Sequence, residues 1–184
     1  MEVDAEHRQL VTRPVAIALC GLPGAGKSTL AARLSAVLAA VHLDRDRLRA
    51  ELYGKGGYSM AAKAALNAHM AARLAQHLEA GRHVILDGMT LAREQDRRAF
   101  ADIARGAQAR WLLAWLDCPP ELARARVSAD RHHPAADRDV RLVDEVARRF
   151  EAPRDGMRLD AALPVETLAE RLLRAVTEIP GNPF

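Results

Sequence analysis

The chain has 184 residues, 49% of them hydrophobic and 28% charged, with a formal net charge of +3. That composition excludes a disordered or fibrous chain, and the length suits one domain, 1–184, with a substantial core. No apolar run approaches the ~18 residues of a membrane span, and residues 1–8 lack a signal-peptide apolar segment, so a cytoplasmic location is expected. Cys20 and Cys118 are the only cysteines, which excludes a disulfide scaffold and predicts two buried, reduced thiols. Acidic residues are interspersed with the basic ones, so the small positive charge does not by itself point to nucleic acid.

Residues 1–13 are polar and read as a tail. Val15–Cys20 is a short apolar run of the kind that forms a buried parallel strand. Next comes Gly21-Leu-Pro-Gly-Ala-Gly-Lys-Ser-Thr29, and from Thr29 to Ala40 the chain is Ala- and Leu-rich at helical spacing. Strand, glycine loop and helix are the context that the phosphate-cradling P-loop, Gly-x-x-x-x-Gly-Lys-[Ser/Thr], requires. Gly21, Gly24 and Gly26 let the backbone curl, so that N–H groups of the loop converge on one anion. Pro23, Ala25 and Thr29 complete the expected nucleotide-binding run, and the following helix adds its N-terminal dipole. Lys27 is expected at the β- and γ-phosphates, and the Ser28 hydroxyl on Mg²⁺.

Val41–Asp44 reads as a second strand, 46–53 as a short helix stopped at Gly54, and 54–57 as a loop. Ser59 is a plausible N-cap for a long helix to Ala80, ended by Gly81. His83–Asp87 is the third strand, followed by a helix from about Leu91 to Arg105 that ends at Gly106. Arg110–Asp117 is the fourth strand. Pro119-Pro120 opens a helix to about Arg131, 132–136 is a loop, and 139–150 is another helix. Met157–Asp160 is a weak fifth strand, 165–178 a closing helix, and 180–184 a tail. Alternating strands and helices imply an α/β fold, a parallel sheet covered on both faces, with ligands bound at the carboxyl ends of its strands.

Three acidic and basic groups fall at those ends. Asp46 and Arg49 lie three apart on a short helix and share a face. Phosphoryl transfer to an alcohol needs a carboxylate to take the hydroxyl proton and a cation to hold the acceptor or the developing charge. Asp87 closes the third strand, where an acidic group contacts Mg²⁺ directly or through water; Asp87 or Asp46 could share the ion with Ser28. Asp87 could instead hold Arg49 or Arg93 in place. Arg124, Arg126 and Arg131 lie on the helix after the fourth strand, where arginines of a closing lid (about 119–140) stabilise the transferring phosphoryl group. His132-His133 with Asp137 or Asp139 fits no structural zinc spacing. Tyr58 could stack on an acceptor ring, and Trp111 and Trp115 are expected in the core.

These residues resemble the compact P-loop kinases that include 5′-hydroxyl polynucleotide kinases, zeta-toxin-like kinases and adenylylsulfate kinases. The resemblance runs from about Val15 to Pro153 and implies a three-layer P-loop fold of about five strands, ordered 2-3-1-4-5, with a helical lid. By the polynucleotide kinase pattern, Asp46 is the general base, Arg49 holds the acceptor, Asp87 supports that arginine, and Arg126 or Arg131 touches ATP. Leu43-Asp-Arg-Asp-Arg-Leu-Arg49 and Gly57-Tyr-Ser59 look like adenylylsulfate kinase segments. That family's Arg-Asp-x-Lys-Gly stretch is missing after the fourth strand, where Arg124-Ala-Arg-Val-Ser-Ala-Asp-Arg131 stands instead.

The expected function is therefore an ATP-dependent kinase using Mg²⁺ and a hydroxyl-bearing acceptor, either a small metabolite or a polynucleotide 5′ end. A nucleotide-dependent switch or regulatory ATPase acting through a protein partner is the alternative. No Asn-Lys-x-Asp guanine motif is present, and basic and aromatic residues are not interleaved as in a single-strand RNA binder.

Overall fold

The computed structural model describes residues 13–130 and 139–178. Among these, five strands form one sheet: β1 (Val15–Cys20), β2 (Val41–Asp44), β3 (Val84–Asp87), β4 (Arg110–Asp117) and β5 (Met157–Asp160). All pairings are parallel and the order is β2-β3-β1-β4-β5, as the resemblance implied. The helices are α1 (Lys27–Leu38), α2 (Arg45–Tyr53), α3 (Met60–Glu79), α4 (Glu94–Gly106), α5 (Pro120–Ala129), α6 (Val140–Arg149) and α7 (Val165–Glu178). None is long and apolar enough to cross a membrane.

β1 is buried along its whole length because parallel crossovers place helices on both faces of the sheet. Its side chains alternate between two cores. Val15, Ile17 and Leu19 meet Leu30 and Leu34 of α1, Val143 and Val146 of α6, and Leu172 of α7. Ala16, Ala18 and Cys20 meet Leu66, Met70, Leu74 and Leu78 of α3 and Phe100 of α4. The small residues of β1 face the bulky, four-residue ladder of α3, a stripe that fixes which side of this helix turns inward. Each fully buried Leu of the ladder contributes about 1.5–3 kcal/mol by leaving water.

Local chemistry sets most element ends. The Asp44 carboxylate accepts from the N–H groups of Asp46 (2.8 Å) and Arg47 (3.4 Å), so α2 starts directly off β2. The Ser59 hydroxyl accepts from Ala62 N–H at 3.2 Å and starts α3. Asp139 does the same for α6, at 2.8 Å to Leu142 N–H.

α4 begins at Glu94 rather than near Leu91. Leu91 takes a left-handed backbone, φ 47°, which no helix can include. Residues 88–93 are tied elsewhere: the Thr90 carbonyl accepts from Gly21 N–H (3.1 Å) and the Ala92 carbonyl from Glu151 N–H (2.9 Å). Gly106 is the last residue of α4 and not its stop; the left-handed position falls on Gln108, φ 52°.

Trp111 and Trp115 are half-buried, not core. No β5 residue joins the core on their side of the sheet. There Trp115 stacks on Phe150, with centroids 6.1 Å apart, under the exposed Arg158 guanidinium. The expected tails, Arg13 apart, and the loop 132–136 lie outside the described residues, as do Arg131, His132, His133 and Asp137.

Candidate active site

The carboxyl ends of β1, β2 and β3 open onto one cavity of about 550 Å³. The P-loop forms its floor. Pro23, Gly24, Gly26, Lys27, Ser28 and Thr29 line it. Gly21 and Ala25 do not. Gly21 N–H is spent on the Thr90 carbonyl, and Ala25 is buried, its N–H donating to the Leu22 carbonyl at 3.1 Å. Gly24 has φ 84°, and a Cβ there would stand 2.5 Å from the Ala123 carbonyl oxygen, so the loop packs directly on α5.

No side chain caps α1, whose N-terminus faces the cavity behind Gly26. Its first-turn N–H groups and helix dipole favour an anion there. The Lys27 ammonium is buried on the loop, donating to the carbonyls of Gly21 (3.0 Å) and Leu22 (2.8 Å).

α2 forms the opposite wall. Its first turn carries Asp46 into the cavity, whereas Asp44 is occupied in capping the helix. Arg49 Nη1 donates to Asp46 Oδ1 at 2.7 Å, so the two residues share a face as their spacing predicts. Arg49 is only 4% exposed, and its Nε has no hydrogen-bond partner among the described residues. Its guanidinium lies 4.7 Å from the centre of the Tyr58 ring, a cation–π contact. Tyr58 thus holds the arginine in place from behind.

Asp87 is fully buried at the end of β3. Its Oδ2 is held by His42 Nε2 at 3.1 Å, not by Arg49 or Arg93 as the sequence suggested. Burial pushes its pKa up. The hydrogen bonds from His42 and Gly88 N–H, the Lys27 charge and the nearby Ser28 hydroxyl outweigh burial and hold the carboxyl below its ordinary value. In return Asp87 raises the pKa of His42. Asp87 Oδ1 lacks a partner of good hydrogen-bond geometry among the described residues. An anionic oxygen of this kind beside a serine hydroxyl suits a hard divalent cation such as Mg²⁺, which takes oxygen ligands. His42, Asp44 and Asp87 also bring ligand atoms within 4.8 Å of one another. Those groups are largely spent on each other and on the α2 cap.

Residues 17–153 match the family model described as AAA domain. The chain belongs to this AAA-domain family. Its fold is that of P-loop kinases. It is similar to an APS kinase of Mycobacterium tuberculosis solved with AMPPNP and APS, with a TM-score of 0.67 and 20% identity over 91% of this chain and 99% of that one. A gluconokinase from Sinorhizobium meliloti 1021 gives 0.67 and 16% over 90% and 93%. A sugar kinase from Janibacter sp. HTCC2649 gives 0.64 and 19% over 92% and 96%. No protein of curated function matches the chain.

This AAA-domain protein brings Lys27, Ser28, Asp46, Arg49 and Asp87 to one cavity. It does not bring Arg126 there: that guanidinium donates to the Ala161 carbonyl, at 3.0 Å, just beyond β5. Arg124 bridges α5 to α6 through Asp144, at 2.6 Å. Among the described residues after α3, Arg93 and Arg149 line the cavity, and Arg149 pairs with Glu145 on its own helix. Sequence reading also missed Arg45, Lys63 and Asn67 on the α2–α3 wall and His42 behind Asp87. One signal was available. Lys63 and Asn67 are polar positions four apart in an otherwise Ala- and Leu-rich helix, on a single face.

Proposed function

We propose that this protein is an ATP-dependent kinase that moves the γ-phosphoryl group of Mg·ATP to an alcohol hydroxyl. The observation that carries this reading is the Asp46–Arg49 pair standing in the same cavity as the P-loop. A nucleotide switch needs no carboxylate there, whereas alcohol phosphorylation does.

In this reading the loop N–H groups and Lys27 hold the phosphates. Ser28, with Asp87 directly or through water, would hold Mg²⁺, which supplies neutralisation of phosphate charge when bound. Asp46 accepts the acceptor's hydroxyl proton, the acceptor oxygen forms a bond to the γ-phosphorus, and the bond from that phosphorus to the β,γ-bridging oxygen breaks to release ADP. Arg49 fixes Asp46 and orients the acceptor. α5 and α6 would form the lid, and Arg149, which lines the cavity and pairs with Glu145, would turn to the phosphoryl charge in place of Arg126. The setting is cytoplasmic, where Mg·ATP is at hand.

ADP release is measured with ATP and a panel of alcohols: polyols, sugars, nucleosides, adenylylsulfate and a 5′-hydroxyl oligonucleotide. At least one should raise the rate above basal hydrolysis. Asp46→Asn should then lower kcat by about 10²–10⁴-fold, the usual range for a positioned base, with little change in the KM for ATP. A variant that keeps kcat and loses ATP affinity rejects Asp46 as the base. Hydrolysis indifferent to every alcohol but raised by a protein partner rejects the kinase reading.

A further inference from the structure

The two carboxylate oxygens of Asp87 are treated differently. Ile85 packs in the core on the α1 face of the sheet, so Asp87, two residues on, belongs to that face as well. The β2–β3 register sets His42 beside Ile85 and Asp44 beside Asp87, which gathers the three polar side chains there. His42 Nε2 lies 3.1 Å from Asp87 Oδ2. An ionised carboxylate only accepts, so Nε2 carries the hydrogen, and the neutral ring suffices. Asp44 Oδ1 is taken by the N–H groups of Asp46 and Arg47, and the imidazole goes to Asp87.

Asp87 is fully buried, and its Oδ1 lacks a partner of good hydrogen-bond geometry among the described residues. A buried anionic oxygen left so is costly, and a cation that takes it relieves the cost. The Ser28 hydroxyl and the Lys27 charge act on the same carboxyl, which places it against the start of α1. The terminal torsion of an aspartate is broad and two-fold. Held by nothing else, this carboxylate could present either oxygen, or turn towards the lysine. A donor fixed on the adjacent strand removes that freedom. His42 does not line the cavity, whereas Asp87 does, so the imidazole acts on the site through Asp87.

We propose that His42 is a positioning residue for the divalent cation of Mg·ATP: it occupies Asp87 Oδ2, stops the carboxylate from turning, and so reserves Oδ1 for the ion or its water. This rests on the Mg·ATP part of the kinase reading and not on its acceptor. His42 touches neither nucleotide nor acceptor. It sets how tightly the nucleotide-loaded site holds the cation, as groups behind a metal ligand do.

The test uses the full chain, a fluorescent ADP analogue and Mg²⁺, and needs no turnover. Binding of the analogue is measured in excess EDTA and then along a Mg²⁺ titration. Mg²⁺ should tighten binding by the wild-type protein. In His42→Leu the Mg²⁺ concentration at half effect should rise about 10- to 100-fold, the usual loss when the group behind a metal ligand is removed. Binding in EDTA, which reports the P-loop alone, should be unchanged. His42→Gln, whose amide nitrogen can stand where Nε2 does, should restore most of the response, and the shorter His42→Asn should not. That pair carries the comparison if His42→Leu fails to fold. Asp87→Asn should lose the response, and adding His42→Leu to it should cost nothing more. A wild-type half effect in His42→Leu, equal losses in His42→Gln and His42→Asn, or a further loss in the double variant overturns the positioning role and leaves His42 a structural partner of a buried acid. Wild-type binding that ignores Mg²⁺ overturns the cation site and this role together. The alcohol panel decides the kinase reading separately.

Discussion

Gly88 follows Asp87 and faces the start of α2, so Gly88→Ala should damage stability and chemistry together. Its φ is 76°. A residue with a Cβ in that left-handed region costs about 1–2 kcal/mol. The new Cβ would also stand 2.7 Å from Arg45 N, 2.7 Å from Asp44 Oδ1 and 2.8 Å from Asp46 N. Ordinary contact begins near ~3.5 Å, so about 0.7 Å must open, and two of the three atoms are backbone of the first turn of α2. Overpacking of this kind adds about 1–3 kcal/mol. The total is about 2–5 kcal/mol. Gly81 supplies the control: its φ is 72°, and nothing lies within 4 Å of its Cβ position. Gly81→Ala should cost only the conformational part, about 1–2 kcal/mol. Urea unfolding of both variants measures the difference. The shift also moves Asp46, and misplacement by about 1 Å at a reacting centre costs on the order of 10²-fold, so kcat should fall at least about tenfold in Gly88→Ala. Equal destabilisation by the two alanines, or a destabilised Gly88→Ala with normal kcat and acceptor KM, refutes the coupling between this glycine and the site.

Arg97 is 5% exposed and donates to the carbonyls of Leu91 (2.9 Å) and Ala92 (3.2 Å). Arg97→Met should cost about 2–4 kcal/mol in unfolding experiments and raise the acceptor KM more than the ATP KM, because loop 88–93 lines the cavity. His83 accepts from Val15 N–H at 3.1 Å on Nδ1, which requires the neutral ring. Burial first, and then the Arg110 charge, lowers its pKa from the ordinary 6.5, so on acidification the unfolded chain binds this proton before the folded one. Stability should therefore fall as pH drops from about 7.5 to 5.5, less steeply in His83→Asn, whose oxygen can still accept; parallel curves would remove His83 as the cause. Cys20 is fully buried, with its thiol pKa pushed up to about 12, and Cys118 is raised too. A thiol reagent at pH 8 should label neither in native protein and both after unfolding, as followed by absorbance.

The sheet was readable because its logic is local: each apolar run of four to eight residues is separated by a helix, and such units pair in parallel with their ligands at one end. Asp46 and Arg49 were readable for the same reason, three residues apart on one turn. The partner of Asp87 was not. His42 lies on the neighbouring strand, and only the β2–β3 register, with Asp44 opposite Asp87, sets it two residues back and within reach. Arg126 looks like a solvent-facing lid residue until β5 delivers the Ala161 carbonyl from 35 positions away. Arg97 sits in an amphipathic helix where a charge normally meets water, and only the left-handed turn at Leu91 folds two carbonyls over it. The Arg45–Asn67 contact depends on how α2 leans on α3, which no single-helix pattern encodes.

Every side chain on the wall opposite the P-loop comes from one crossover, the stretch between Asp44 and Val84. The phosphate-holding groups come from another stretch, residues 21–29. Descendants of a common ancestor could thus exchange one contiguous cassette and acquire a new acceptor while inheriting the ATP machinery unaltered. Grafting residues 45–83 of one such protein onto the sheet of another would be the laboratory version of that history.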